Sequence, residues 1–141
     1  MNEYTITEIS PGMEETFDCV ITSNMVDAFC DLTGDINPLH KSEEFAKSKG
    51  FNGRVSYGML TAALISKLAG CLLPGKNCLI QGLDLKFVKP VYIGDELHVS
   101  GKVSKVDKDL KYLEIKVVIR NQKNEKVLRG ILKTGVMDEG A

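Results

Sequence analysis

Residues 57–73 run Tyr-Gly-Met-Leu-Thr-Ala-Ala-Leu-Ile-Ser-Lys-Leu-Ala-Gly-Cys-Leu-Leu, with Lys67 as their one charge, and Pro74-Gly75 ends them. A helix apolar nearly all round has no face to offer water and must be buried. At about 25 Å it is too short to span a bilayer but suits the centre of a wrapped sheet. Small residues at Gly58, Ala62, Ala63, Ser66, Ala69 and Gly70 let strands approach it closely.

The chain beyond this helix supplies the sheet. Four runs over residues 78–86, 96–106, 112–120 and 126–137 read as strands, separated by Gly94-Asp95, by Asp107-Lys108-Asp109 and by residues 121–124. Connections this short exclude parallel crossovers, so an antiparallel meander is expected. An earlier strand lies over residues 15–22, where Phe17, Cys19 and Ile21 share the better-buried side. The pattern predicts an α+β chain, a central helix with an antiparallel sheet curled round it. His98 alternates with Leu97 and Val99 and reads as a sheet-face residue.

Between the first strand and the central helix lies the stretch with chemistry in it. Thr22-Ser23-Asn24 offers a helix cap, Met25, Val26, Phe29 and Leu32 recur at helical spacing, and Gly34 stops the run. Asp35 and His40 come next, five residues apart, on a segment that Gly34 and Pro38 keep from being one helix. A second short helix starts at Ser42-Glu43-Glu44 and stops at Gly50, which leaves His40 in the connector. A carboxylate and an imidazole together can move a proton onto and off a substrate. Gly-Asp and Asn-Pro are also ordinary turn dipeptides, with Asp35 and Asn37 capping backbone groups. From spacing alone the turn reading weighs more.

Resemblance shifts that weight. Phe29, Gly34, Asp35, Asn37, Pro38, Leu39, His40 and Ala46 fall within eighteen residues in an arrangement that resembles the signature of the MaoC-like (R)-specific enoyl-CoA hydratases. Tyr57-Gly58-Met59-Leu60, Phe87-Val88-Lys89-Pro90-Val91 and Gly94-Asp95-Glu96-Leu97 extend the likeness over roughly residues 12–137. The resemblance implies a hot-dog fold and reversible addition of water to a trans-2-enoyl thioester, giving the (R)-3-hydroxyacyl form. It implies that Asp35 and His40 activate the water and move the protons, without saying which is acid and which is base. It implies also that the Gly58 backbone N–H holds the thioester oxygen, at a helix start whose N–H groups are unpaired. Asn37 braces the loop.

Coenzyme A is the expected carrier, with Arg54, Lys86 and Lys89 as cations for its phosphates, although each is equally well explained as solvated surface. Many relatives carry His where this chain has Tyr57, which bears on substrate contacts. Two alternatives keep their place: a dehydratase acting on acyl-carrier-protein thioesters, and a non-catalytic acyl-thioester-binding subunit. A thioesterase would leave the Asp35 and His40 pairing without a reason.

A chain of 141 residues, 43% hydrophobic and 26% charged, is the size of one domain over residues 1–141. A net charge of −1 gives no electrostatic case for nucleic acid, and no basic amphipathic helix suggests a membrane surface. The first ten residues, MNEYTITEIS, have no positive and apolar leader, so a cytoplasmic location is expected. Cys19, Cys30, Cys71 and Cys78 include no C-x-x-C pair and sit among apolar residues, as buried thiols would. No metal and no cofactor is expected. One such unit has an exposed sheet edge and a shallow cleft, and pairing into a homodimer or a higher homo-oligomer covers both. Residues 138–141 read as a frayed tail.

Overall fold

The computed structural model describes residues 1–137; the tail expected over 138–141 lies outside the described residues. Strand β1 (Glu14–Val20) is followed by three helices, α1 (Ser23–Thr33), α2 (Pro38–Lys41) and α3 (Glu43–Ser48), and then by α4 (Gly58–Lys67). Strands β2 (Cys78–Phe87), β3 (Glu96–Asp107), β4 (Tyr112–Arg120) and β5 (Lys126–Val136) complete the chain. The five strands form one antiparallel sheet in the order β1-β3-β4-β5-β2.

Alternation puts Leu97, Val99 and Val103 of β3 and Leu113, Ile115, Val117 and Ile119 of β4 on a single buried face. Ile65, Leu68, Ala69 and Leu73 cover that face from the helix side. This is the helix-on-sheet arrangement expected of a hot-dog fold.

Two expectations need correction. The meander holds only for β3, β4 and β5. Strand β2 pairs with β5 at one edge, and β3 lies beside β1 at the other, so residues 88–95 cross between them. Nor do residues 57–73 form one helix buried all round. The run becomes a π-helical turn at Leu68–Leu72, and Met59, Ala63, Ser66 and Lys67 are exposed along its outer face. Small residues on an apolar helix permit close packing on every side without requiring it.

Close approach is enforced from the sheet instead. A Cβ built on Gly101 of β3 would stand 2.8 Å from Leu68 Cδ2 and 3.1 Å from Ile115 Cγ2. On Gly130 of β5 it would stand 2.1 Å from the Asp84 carbonyl oxygen of the neighbouring strand. The local caps follow the sequence more directly. Thr22 accepts the Met25 N–H at 3.2 Å, and Gly34 ends α1 at φ 76°. Of the residues at helical spacing in α1, Val26 is buried, whereas Leu32 is 82% exposed and Cys30 is buried instead.

The cysteines are all free, but only Cys30 is buried; the other three are half-buried. Cys78 Sγ lies 3.2 Å from Thr134 Oγ1. His98 stands on the outer face of β3, its Nδ1 2.7 Å from Asp18 Oδ1. Among the described residues no helix is long and apolar enough to cross a membrane.

The two tight glycines should respond differently to alanine. Gly101→Ala meets the movable end of Leu68 and is expected to cost about 1–3 kcal/mol, whereas Gly130→Ala meets backbone and should cost more. Denaturant midpoints for the two variants, read at equal slope, check the order.

Candidate active site

The site is built from the turn after α1. The Gly34 N–H makes the closing bond of α1, to the Cys30 carbonyl at 2.8 Å, and its φ of 76° turns the chain out of the helix. Asp35 Oδ1 then accepts the Asn37 N–H at 3.0 Å, and Asn37 Oδ1 accepts the Leu39 N–H at 3.0 Å. Pro38, with no N–H to satisfy, opens α2. His40 is therefore not in an irregular connector but on a four-residue helix, too short to leave a periodic trace in sequence.

Its ring is pinned. His40 Nδ1 lies 2.7 Å from the Val55 carbonyl oxygen. A carbonyl only accepts, so Nδ1 carries a proton, and in the neutral ring Nε2 is the nitrogen with the lone pair. The backbone is held as well, because Arg54 Nε donates to the His40 carbonyl at 2.8 Å while Arg54 Nη2 donates to Asp27 Oδ1 at 2.9 Å.

Tyr57 lies behind both candidate groups. It is 2% exposed, and its O–H donates to the Asp35 backbone carbonyl. Its ring meets His40 at a centroid distance of 4.0 Å and 32°, and Phe29 at 4.9 Å. Burial, and after it a hydrogen bond with Cys30, push the phenol up to about 12. At neutral pH it is a fixed, uncharged donor.

A cavity of about 270 Å³ opens beside His40. Ser56, Gly58 and Thr61 line it together with Phe87, residues 88–91 of the crossover and Val127, and the Ser56 N–H donates to the Val91 carbonyl at 2.7 Å. Helix α4 begins here, with Tyr57 at its cap position and no side chain bonding to its first-turn N–H groups. A Cβ at Gly58 would stand 3.2 Å from the Phe87 ring, so this helix start has little room for a larger residue.

Of the residues singled out in sequence, the structure brings His40, Gly58 and Lys89 to this cavity. Asp35 is exposed and does not line it; its link to the site runs through its carbonyl and Tyr57. Tyr57 does not line the cavity either. Arg54 lines a second, more polar cavity with Glu43, Asn52 and Tyr92. Lys86, on β2, stays outside the first cavity, and Lys89 is ion-paired with Glu125. Sequence reasoning missed Val55, Ser56, Thr61 and the role of Phe87. Two isolated hydroxyls flanking the Tyr57-Gly58 start of an apolar run were the available signal. Among the described residues no group of three or more His, Cys, Asp or Glu is placed to hold a metal ion.

Comparison with known proteins gives this geometry a context. The family model described as MaoC like domain matches residues 7–127. A protein of Methylorubrum extorquens named 3-hydroxybutyryl-CoA dehydratase is 37% identical over 99 residues, covering 70% of this chain and 63% of the relative. An (R)-specific enoyl-CoA hydratase of Aeromonas caviae is 40% identical over 84 residues, covering 60% of this chain and 63% of the relative. These sequence alignments thus span somewhat under two thirds of either relative. The solved (R)-hydratase from A. caviae, described as involved in PHA biosynthesis, superposes with a TM-score of 0.87 at 30% identity, covering 91% of this chain and 97% of that one. With its sheet, its apolar helix and its Gly-Asp-x-Asn-Pro-x-His turn, this chain belongs to the MaoC-like domain family and has the hot-dog fold.

Proposed function

We propose that the protein is an (R)-specific enoyl-CoA hydratase, a hydro-lyase that adds water reversibly across the 2,3 double bond of a trans-2-enoyl thioester, and that residues 1–141 act as one domain. The observation that carries the reading is His40. Its ring is pinned through Nδ1 to the Val55 carbonyl, and it lines a cavity that also holds the uncapped start of α4 at Gly58.

The reaction sets three tasks. Water must lose a proton as it attacks C3, C2 must gain one, and negative charge on the thioester oxygen must be stabilised. His40 Nε2, with its free lone pair, suits proton transfer. The Gly58 N–H suits the oxygen, since a helix N-terminus carries partial positive charge and is pre-oriented. Asp35 is the second proton-handling group of the proposal. Its Oδ2 makes no hydrogen bond among the described residues, while Oδ1 sits in the turn. Asn37 holds the turn that aims both groups. Lys89, beside the cavity, is the best placed of the three cations for coenzyme A, and Arg54 serves the His40 backbone first.

The protein is further proposed to act as a homodimer in the cytoplasm. Edge strand β2 is ten residues long and exposes Leu79, Ile80, Leu83 and Phe87, with Val88 and Met59 exposed as well. An apolar open edge of this kind supports pairing with a second copy. Phe87 belongs both to that edge and to the cavity wall, so a second copy there would deepen the acyl site.

Asp35→Asn and His40→Gln should each lower hydration of crotonyl-CoA by roughly 10²- to 10⁴-fold, about 3–5 kcal/mol of barrier. The double variant should lose much less than the sum, and melting temperatures should scarcely change. A stable, fully active Asp35→Asn protein would sink the proposal. Tyr57→Phe keeps the ring and removes the tie to Asp35. It should lower kcat roughly tenfold with KM little altered, since misplacement of a reacting group acts on the transition state. Sedimentation at micromolar concentration should give the mass of two chains, and a lone monomer would refute the dimer.

A further inference from the structure

The cavity wall is apolar where Phe87, Val88, Val91 and Val127 form it, and two hydroxyls interrupt it. Ser56 and Thr61 both line the cavity and are each 2% exposed. Neither Ser56 Oγ nor Thr61 Oγ1 has a hydrogen-bond partner, and they are the only buried side-chain polar atoms so placed among the described residues. A buried hydroxyl without a partner forfeits the hydrogen bonds that water gave it, and an apolar side chain of the same shape avoids that loss.

Other threonines here behave differently. Thr134, fully buried, donates to the Leu79 carbonyl at 3.1 Å, and Thr33 donates back along its helix to the Phe29 carbonyl at 2.8 Å. Thr61 does not turn back in this way. The two orphaned hydroxyls also flank Gly58, two residues before it and three after, at the start of a ten-residue helix with no side-chain cap. Ser and Thr hydroxyls move between staggered wells about one torsion, so an oxygen arriving in the cavity can recruit them.

The partner they lack is a neutral one. The charge of Lys89 is matched by Glu125. A carboxylate or phosphate held by the two hydroxyls would lose its hydration with no unpaired Lys or Arg among the described residues of the lining to compensate. A hydroxyl or keto oxygen has no such cost, and Ser and Thr can both donate to it and accept from it.

We propose that Ser56 and Thr61 form a polar subsite for a neutral oxygen carried on the acyl group beyond the reacting double bond, so that the protein selects hydroxy- or keto-substituted enoyl thioesters over unsubstituted ones of the same size. This rests on the hydratase reading. The subsite is separate from the oxygen of the thioester and from the water that adds.

An isosteric pair of substrates tests it. In 4-hydroxy-trans-2-butenoyl-CoA a hydroxyl stands where trans-2-pentenoyl-CoA has its terminal methyl. The wild-type protein should favour the hydroxylated thioester in kcat/KM by roughly tenfold or more. The variant Ser56→Ala/Thr61→Val should lose at least about tenfold of that ratio, with an unliganded melting temperature equal to or above wild type. No wild-type preference, an equal loss on both substrates, or a lowered melting temperature would each overturn the subsite. An equal loss would put the hydroxyls on the reacting water, and lowered melting would make them structural. If the wild-type protein hydrates neither thioester, the hydratase reading falls instead. The subsite is then read from the melting shift given by the saturated pair, 4-hydroxybutanoyl-CoA and pentanoyl-CoA: a larger shift with the first upholds it, and equal shifts reject it.

Discussion

One apolar sheet face has to be covered by one short helix, and most of the structure results from that mismatch. Strands β3 and β4 send alternate side chains to the same side, and α4 with its π-helical turn is too small to hide all that the five strands present. Gly101 lets Leu68 sit directly on the strand, so the helix is drawn onto β3. Cys78 and Leu85 of β2 still pack against the core, while Leu79, Ile80, Leu83 and Phe87 stay exposed. The cavity lies where the helix starts, with Phe87 in its wall.

Main-chain carbonyls then do the positioning. The Val55 carbonyl fixes the His40 ring, the His40 carbonyl receives Arg54, and the Asp35 carbonyl receives Tyr57. Anchoring side chains to backbone leaves His40 Nε2 and Asp35 Oδ2, the atoms of the proposed proton transfer, without a hydrogen-bond partner among the described residues. It also couples the Asp35 turn and α2, which follow one another in sequence, to residues 54–57 at the start of α4.

Much of this is legible in the sequence wherever the determinant is local. Thr22, Gly34, Pro38 and Ser42 act at helix ends as their chemistry dictates, and period-two patterning locates the strands to within a residue or two. The eight-position signature finds the Asp35 and His40 segment. The features that escape depend on partners distant in the chain. Turn residues announce that a strand ends but not which strand it will pair with, so the crossing from β2 to β3 reads in sequence as a hairpin step. Apolar composition marks residues 57–73 as a helix, yet the exposure of Met59 depends on how far the sheet wraps. Arg54 reads as a cation for phosphates because its acceptors, the His40 carbonyl and Asp27, are brought to it only by the fold.

The strand order also sets when the cavity can exist. Strand β1 pairs with β3 across some eighty residues, as Asp18 opposite His98 illustrates, and β2 waits for β5. As the chain leaves its site of synthesis, Asp35, His40 and Gly58 emerge first, the crossover wall later, and Val127 near the end. Pairings of such long range form slowly, because loop-closure entropy is lost before contacts repay it. A nascent chain therefore carries Asp35, His40 and Gly58 well before the cavity that His40 and Gly58 line has its far wall, and that cavity is complete only with β5.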